Sequence, residues 1–263
     1  MEPYEKVKLA RSSDRPTVRE YINALFPNSV ELHGDRCFGD ESAMVGGIGY
    51  LGKTPVTFIG IDKGRTTEER IKNHFGSPGP EGYRKALRLM RQASKFRRPV
   101  ITFVDTAGAY CGEEAEMRGQ GQAIAQNLME MMKLDCPVVT LVTGEGGSGG
   151  ALGIAVSDSL YMLENAVYSV ISPEGCAEIL FKDAKRSADA AKTLCITAGD
   201  MVRFGVADGI VSEDFDNFPF MCKRISLLLS SEIERLSAKT AEELRSGRLR
   251  LHASGRDPAV CPL

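Results

Sequence analysis

Two predominantly apolar runs, Val100–Asp105 (V-I-T-F-V-D) and Val138–Thr143 (V-V-T-L-V-T), each lead into a glycine-rich turn and then into a segment of helical periodicity. Strands without polar alternation are buried on both faces, and such strands belong to layered sheets whose faces are covered by helices. The connecting segments have the right period. Pro80–Phe96 places Ala86, Leu87, Leu89, Met90 and Ala93 on one side and Arg84, Lys85, Arg88, Arg91 and Lys95 on the other. Glu116–Lys133 repeats the theme with Ala123, Ile124, Leu128, Met131 and Met132. Strand, helix and strand in repetition indicate βαβ-type crossovers within one layered domain.

Further strands are expected at Val45–Tyr50 and Thr54–Ile61, which read as a hairpin, and at Ser159–Leu163 and Val167–Ile171. After Ser172 the pattern changes to short helices at Cys176–Phe181, Ser187–Leu194 and Thr197–Phe204, followed by two helices over Phe218–Arg250 and a frayed end. No linker composition or repeat interrupts the 263 residues, so one domain is expected, with a core at about 14–211 and a helical C-terminal extension at about 218–250.

With 33 Lys+Arg against 35 Asp+Glu, the chain lacks the basic surplus that phosphate neutralisation by a dedicated nucleic-acid binder requires. The seven cysteines contain no C-x-x-C pair, which argues for reduced thiols and against a zinc ribbon or disulfide framework. No metal site is expected. Met1–Arg19 alternates charges without an apolar stretch, and no run approaches the ~18 residues of a membrane span. A soluble cytoplasmic protein without membrane contact is expected.

Gly144-Glu145-Gly146-Gly147-Ser148-Gly149-Gly150-Ala151-Leu152 follows a buried strand and opens a helix of small residues. Glycine lets a ligand approach the backbone, and first-turn N–H groups have no intrahelical partner, so such a turn suits an anion or a developing oxyanion. A tight turn packed under another element is the plainer alternative. Gly146-x-Ser148-x-Gly150 also fits the nucleophile elbow of a serine hydrolase, but the one histidine after the serine is His252, in the polar tail. A second turn, Asp105-Thr106-Ala107-Gly108-Ala109-Tyr110-Cys111-Gly112, ends the neighbouring buried strand, and ligands of parallel sheets gather at strand carboxyl ends. Neither turn matches a dinucleotide fingerprint or a P-loop. The basic stretch Lys63–His74 suits a phosphate-bearing ligand, an acidic partner or simply solvent. His33 and His74 read as structural.

Six motifs in order narrow these options. E-L-H-G-D-R (Glu31–Arg36), V-G-G-I-G (Val45–Gly49), P-E-G-Y-R-K-A-L-R-L-M (Pro80–Met90), D-T-A-G-A-Y (Asp105–Tyr110), G-E-G-G-S-G-G-A-L (Gly144–Leu152) and Y-S-V-I-S-P-E-G-C-A (Tyr168–Ala177) together resemble the carboxyltransferase α subunit of bacterial acetyl-CoA carboxylase, in its short form. The resemblance implies an α/β crotonase-like (ClpP/crotonase) fold of ββα superhelical units with terminal helical extensions. It implies transfer of a carboxyl group from biotin, carried covalently on a separate protein, to acetyl-CoA, giving malonyl-CoA for fatty-acid synthesis. The implied partners are a zinc-ribbon β subunit, the biotin carboxyl carrier protein and biotin carboxylase, with two α and two β subunits in a heterotetramer and ATP bound elsewhere in the complex.

Carboxyl transfer creates negative charge on an enolate and on the biotin ureido oxygen, so two oxyanion sites are needed. The resemblance assigns Gly149 and Gly150 to the backbone donors on the biotin side, and Gly146, Gly147, Gly108, Ala109 and Tyr110 to substrate and biotin binding. The sequence departs from the family's D-T-P-G-A-Y-P-G-x-G-A-E-E-R-G-Q at Ala107, Cys111, Glu113-Glu114 and Met117, which predicts an altered loop there. Competing readings are a stand-alone crotonase-type hydratase or isomerase and a non-catalytic structural subunit.

Overall fold

A computed structural model describes residues 1–253. Helices α1 (Pro3–Ala10) and α2 (Val18–Leu25) precede a short strand β1 (Val30–Glu31) and the hairpin β2 (Met44–Leu51) and β3 (Thr54–Ile61). Leu51 pairs with Thr54, so the turn is Gly52-Lys53, and Gly52 supplies the positive φ of 61° that matches the strands' twist. Then follow α3 (Thr67–Lys72), α4 (Pro80–Lys95), β4 (Val100–Thr106), α5 (Glu113–Met117), α6 (Gln120–Met131), β5 (Val138–Gly147) and α7 (Ser148–Ala155). The chain continues through β6 (Ser159–Leu163), β7 (Val167–Ser169), α8 (Pro173–Phe181), α9 (Ser187–Leu194), α10 (Ala198–Arg203), β8 (Gly209–Val211), α11 (Phe218–Ser237) and α12 (Ala241–Ala253).

The strands form one sheet in the order β1-β2-β3-β4-β5-β6-β8, parallel from β3 to β8. All seven residues of β4 are buried, as its composition requires, and β5 is buried over Val138–Gly146. β5 is longer than its apolar run. Its first half pairs with β6, and its glycine half, Glu145–Gly147, turns to pair with β7, so one strand serves two neighbours. The glycines expected in a turn are therefore strand residues up to Gly147, and the turn itself begins at Ser148.

Two other expectations are revised. The helix read over Glu116–Lys133 is broken at Gly119, whose φ of 82° no helix interior accepts, leaving α5 and α6. The strand read over Val167–Ile171 ends at Ser169, where the Ser169 hydroxyl turns back to Ile171 O at 2.6 Å. The basic side of α4 is exposed at Arg91 and Lys95 but covered nearer its start. Lys85 is 1% exposed and reaches Asp40 (2.5 Å) and Glu41 O, while Arg84 holds Asp35, so this side clamps the acidic loop after β1. The C-terminal extension is docked through Arg248 of α12, which is fully buried against Asp158 and the carbonyls of Met131, Leu134 and Cys136. Cys261 lies outside the described residues. Among those described, no helix is long and apolar enough to cross a membrane.

Candidate functional site

The register between β4 and β5 slips after Val104↔Val142 and resumes at Thr106↔Gly146, leaving Thr143, Gly144 and Glu145 bulged opposite Asp105. A bulge frees backbone groups, and buried ones must be satisfied. The Asp105 carboxylate accepts the Glu145 N–H at 2.9 Å, and Arg15 Nη2 donates to Thr143 O at 2.7 Å. Gly144 has no side chain because a Cβ would collide with the Asp105 carboxylate. Here the glycine serves the structural alternative, close packing.

Charges close the network. Lys63, two residues past the end of β3, reaches Asp105 at 2.6 Å and Glu145 at 3.6 Å. Arg11 bonds Glu145 through Nε (2.8 Å) and Glu174 through Nη1 (2.8 Å). Burial by itself would lower the Arg11 guanidinium, but Glu174 and Glu145 outweigh it and raise it above the usual arginine range. Arg15 pairs with Glu213 at 2.6 Å, and this partner, aided by Asn165, holds the Glu213 carboxyl low against the opposing effect of burial. Charge-assisted hydrogen bonds of this kind contribute roughly 1.5–3 kcal/mol each. The bulge that launches the glycine segment is thus fixed from three sides, by β3, β4 and the N-terminal segment.

Beyond the bulge, the two turns meet. A Cβ on Gly147 would strike the Ala107 carbonyl, and one on Gly150 would stand 2.6 Å from Gly108 C and 2.9 Å from Gly108 Cα. Side chains at either position would drive the turns apart, whereas Gly149 faces open space except for Ile124 Cγ2 at 3.7 Å. From behind, Tyr83 donates to Gly150 O at 3.0 Å, and the Asn127 amide donates to Tyr83 O and Gly153 O, fixing α7 between α4 and α6. Gly149 and Gly150 lie in the first turn of α7 and so lack intrahelical acceptors for their N–H groups. Neither these N–H groups nor that of Ala109 meets another acceptor among the described residues.

Gly108, Ala109, Gly147, Gly149 and Gly150 therefore come together, but their backbone groups differ. The Gly108 N–H is spent on Thr106 Oγ1 at 3.0 Å, so the available donor in that turn is Ala109. Gly146 packs on the Tyr168 ring and opens no ligand approach. Tyr110 is half-buried, its N–H bonds Pro78 O, its carbonyl accepts from Gln120, and its ring stacks on His74 at 4.2 Å. The divergent loop residues leave this contact intact. Cys111 is exposed, Glu113–Met117 become α5, and Ala107 is exposed beside the turn.

Ser148 does occupy a strand-to-helix turn, exposed and with a φ of 54°, as a nucleophile elbow would. A base is missing from its surroundings among the described residues. His33 bonds Asp40 at 2.9 Å, His74 lies on Tyr110, and the side chain of His252 lies outside what is described. Among the described residues, no group of three or more His, Cys, Asp or Glu could hold a metal ion. Arg11 and Arg15 were missed in the sequence because they reach the glycine segment from 134 and 128 residues away. No local pattern announces such a contact.

A family model described as acetyl co-enzyme A carboxylase carboxyltransferase-like matches residues 1–254. The chain is 52% identical over 244 residues to the acetyl-coenzyme A carboxylase carboxyl transferase subunit alpha of Ruminiclostridium cellulolyticum, covering 93% of this chain and 94% of that one. It is 51% identical over 250 residues to the subunit of the same name from Clostridium acetobutylicum, covering 94% and 91%. The fold is similar to that of transcarboxylase 12S (TM-score 0.72, 17% identity), with 87% of this chain matching 43% of that longer one. It is also similar to a chain of a Pseudomonas malonate decarboxylase hetero-tetramer in complex with coenzyme A (TM-score 0.69, 16% identity, 91% and 92% covered). The crotonase-like α/β architecture implied by the six motifs is thus the fold that the strand order describes. The chain belongs to the acetyl-CoA carboxylase carboxyltransferase family.

Proposed function

We propose that the chain is a single carboxyltransferase domain acting as the α subunit of acetyl-CoA carboxylase. With a zinc-ribbon β subunit it moves the carboxyl group from biotin, held on a separate carrier protein, to acetyl-CoA, giving malonyl-CoA. The observation that carries this reading is the contact of the two glycine turns, where a Cβ on Gly150 would lie 2.6 Å from Gly108 C. Turns so close bring the free N–H of Ala109 beside those of Gly149 and Gly150 at the carboxyl ends of parallel strands, where ligands bind.

Biotin supplies a ureido group that carries the carboxyl and becomes more negative at oxygen as the carboxyl departs. The residues fit such a group. The backbone is bare of side chains at Gly149 and Gly150, the α7 first-turn N–H groups point their dipoles at developing negative charge, and none of these donors titrates. Tyr110, braced by His74 and Gln120, forms an adjoining wall. The network of Asp105, Lys63, Glu145 and Arg11 holds the bulge before reaction, so the donors need no reorganisation as charge develops. The donors for the thioester enolate belong, on this reading, to the β subunit, which completes the site in an α2β2 assembly.

The test is reconstitution. Malonyl-CoA-dependent carboxylation of biotin is expected from the chain mixed with its β subunit and not from the chain alone. Turnover by the pure chain would refute the divided site, and an inactive but stable α–β complex would refute the catalytic reading in favour of a structural subunit.

A further inference from the structure

The basic stretch after β3 is only partly accounted for by the bulge network. Lys63 and Arg70 from that stretch, with Arg11, Ser12, Ser13 and Arg15 from the N-terminal segment, line a cavity of about 240 Å³ that borders Ala107. That is below the roughly 300–1,000 Å³ of a pocket for a whole small molecule, so it takes one end of a ligand.

The charges in its wall are unequally spent. Arg11 meets Glu145 and Glu174, Arg15 meets Glu213, and Lys63 meets Asp105, so three of the four cations are neutralised and the wall carboxylates Asp105 and Glu145 are engaged. Arg70 is different. Among the described residues its guanidinium touches only the carbonyls of Gly64 (3.3 Å) and Ser13 (3.5 Å), and no carboxylate pairs with it. The Ser12 hydroxyl accepts from Asp14 N and keeps its own proton for donation, and the Ser13 hydroxyl bonds nothing among the described residues.

The rim is strained as well. His74 (φ 46°) and Phe75 (φ 54°) are consecutive left-handed residues, a conformation side chains rarely adopt, and they hold Phe75, 62% exposed, at the cavity's edge. Strain of this sort concentrates at ligand clamps.

We propose that this cavity binds a phosphate group, with Arg70 as the charged contact and the Ser12 and Ser13 hydroxyls as further donors. Donors on separate elements suit the three oxygens of a tetrahedral phosphate better than a planar carboxylate, which a single guanidinium fork already satisfies. The phosphate is either free or the ester phosphate of a CoA thioester. The second source rests on the proposed carboxyltransferase activity, and the binding chemistry does not.

The experiment uses the full chain without partner or turnover, so its outcome is separable from the reconstitution above. Thermal unfolding is followed against potassium phosphate, with potassium chloride matched for ionic strength, and repeated with Arg70→Gln and Arg70→Lys. Phosphate is expected to raise the midpoint, with the apparent Kd weakened by ~10-fold or more in Arg70→Gln and partly recovered in Arg70→Lys. Unliganded midpoints near that of the parent establish that both variants fold. CoA displaced by phosphate, and binding better than dephospho-CoA, identifies the ester source. Phosphate binding without CoA binding identifies the free anion. No stabilisation beyond that of chloride, or stabilisation unchanged in Arg70→Gln, would overturn the site.

Discussion

Gly149 and Gly150 are adjacent, yet alanine at the two positions should have opposite consequences. At Gly150 the new Cβ stands 2.6 Å from Gly108 C and 2.9 Å from its Cα, against the 3.4 Å at which ordinary contact begins. The obstacle is backbone rather than a flexible side-chain end, so the Thr106–Tyr110 turn must move by several tenths of an ångström or more. Overpacking of this kind costs about 1–3 kcal/mol, offset by up to ~1 kcal/mol of helix propensity gained over glycine. Displacing the turn also withdraws the Ala109 donor, and loss of one oxyanion donor costs on the order of 3 kcal/mol, or about a hundredfold in turnover. At Gly149 the Cβ meets only Ile124 Cγ2 at 3.7 Å, and no positive φ forbids it. Gly149→Ala should therefore keep the fold and any steric loss should fall on the ligand alone. Urea unfolding of the isolated chain, paired with turnover of the reconstituted complex, separates the effects. Gly150→Ala is expected to lower both, and Gly149→Ala to spare stability. Equal stability and equal turnover in the two variants would show that the contact between the turns positions nothing.

Ser148→Ala removes a hydroxyl but no N–H, so turnover should fall less than about tenfold (~1.4 kcal/mol) and fluorophosphonates should leave the chain unlabelled; labelling with a thousandfold loss would revive the hydrolase reading. Arg248→Met strips Asp158 of its cation in a buried setting and should cost about 3–5 kcal/mol in chemical denaturation, whereas a loss below 1 kcal/mol would mean that α12 docks without this pair. Burial acts to raise the Asp40 carboxyl, but Lys85 at 2.5 Å and the Gly34 N–H outweigh it and hold it well below the usual range. A depressed carboxylate stabilises above its unfolded value near pH ~4 and loses that contribution as pH falls toward its folded value. Asp40→Asn should accordingly flatten the decline of stability below about pH 4, and parallel acid limbs for parent and variant would contradict the pairing.

The sequence alone determined the elements whose signals are local. The hairpin over Val45–Ile61, the buried strands at Val100 and Val138, α4 and α9 follow from side-chain periodicity and turn chemistry, which neighbouring residues carry in full. The six motifs likewise carried the family, because their order survives without knowledge of contacts. What remained hidden depends on residues far apart in the chain. The break at Gly119 is a backbone conformation that an apolar pattern running across it conceals. Lys85, set among basic neighbours on the polar side of α4, is buried only because the 33–41 loop folds over it. The role of each glycine was equally undecided. Within the 144–150 segment Gly144 makes room for Asp105, Gly146 for Tyr168, and Gly147 and Gly150 for the neighbouring turn, while Gly149 meets nothing closer than Ile124 Cγ2 at 3.7 Å. A glycine states that something comes close, and only the tertiary structure says whether it is protein or ligand, because a missing Cβ carries no information about what fills its place.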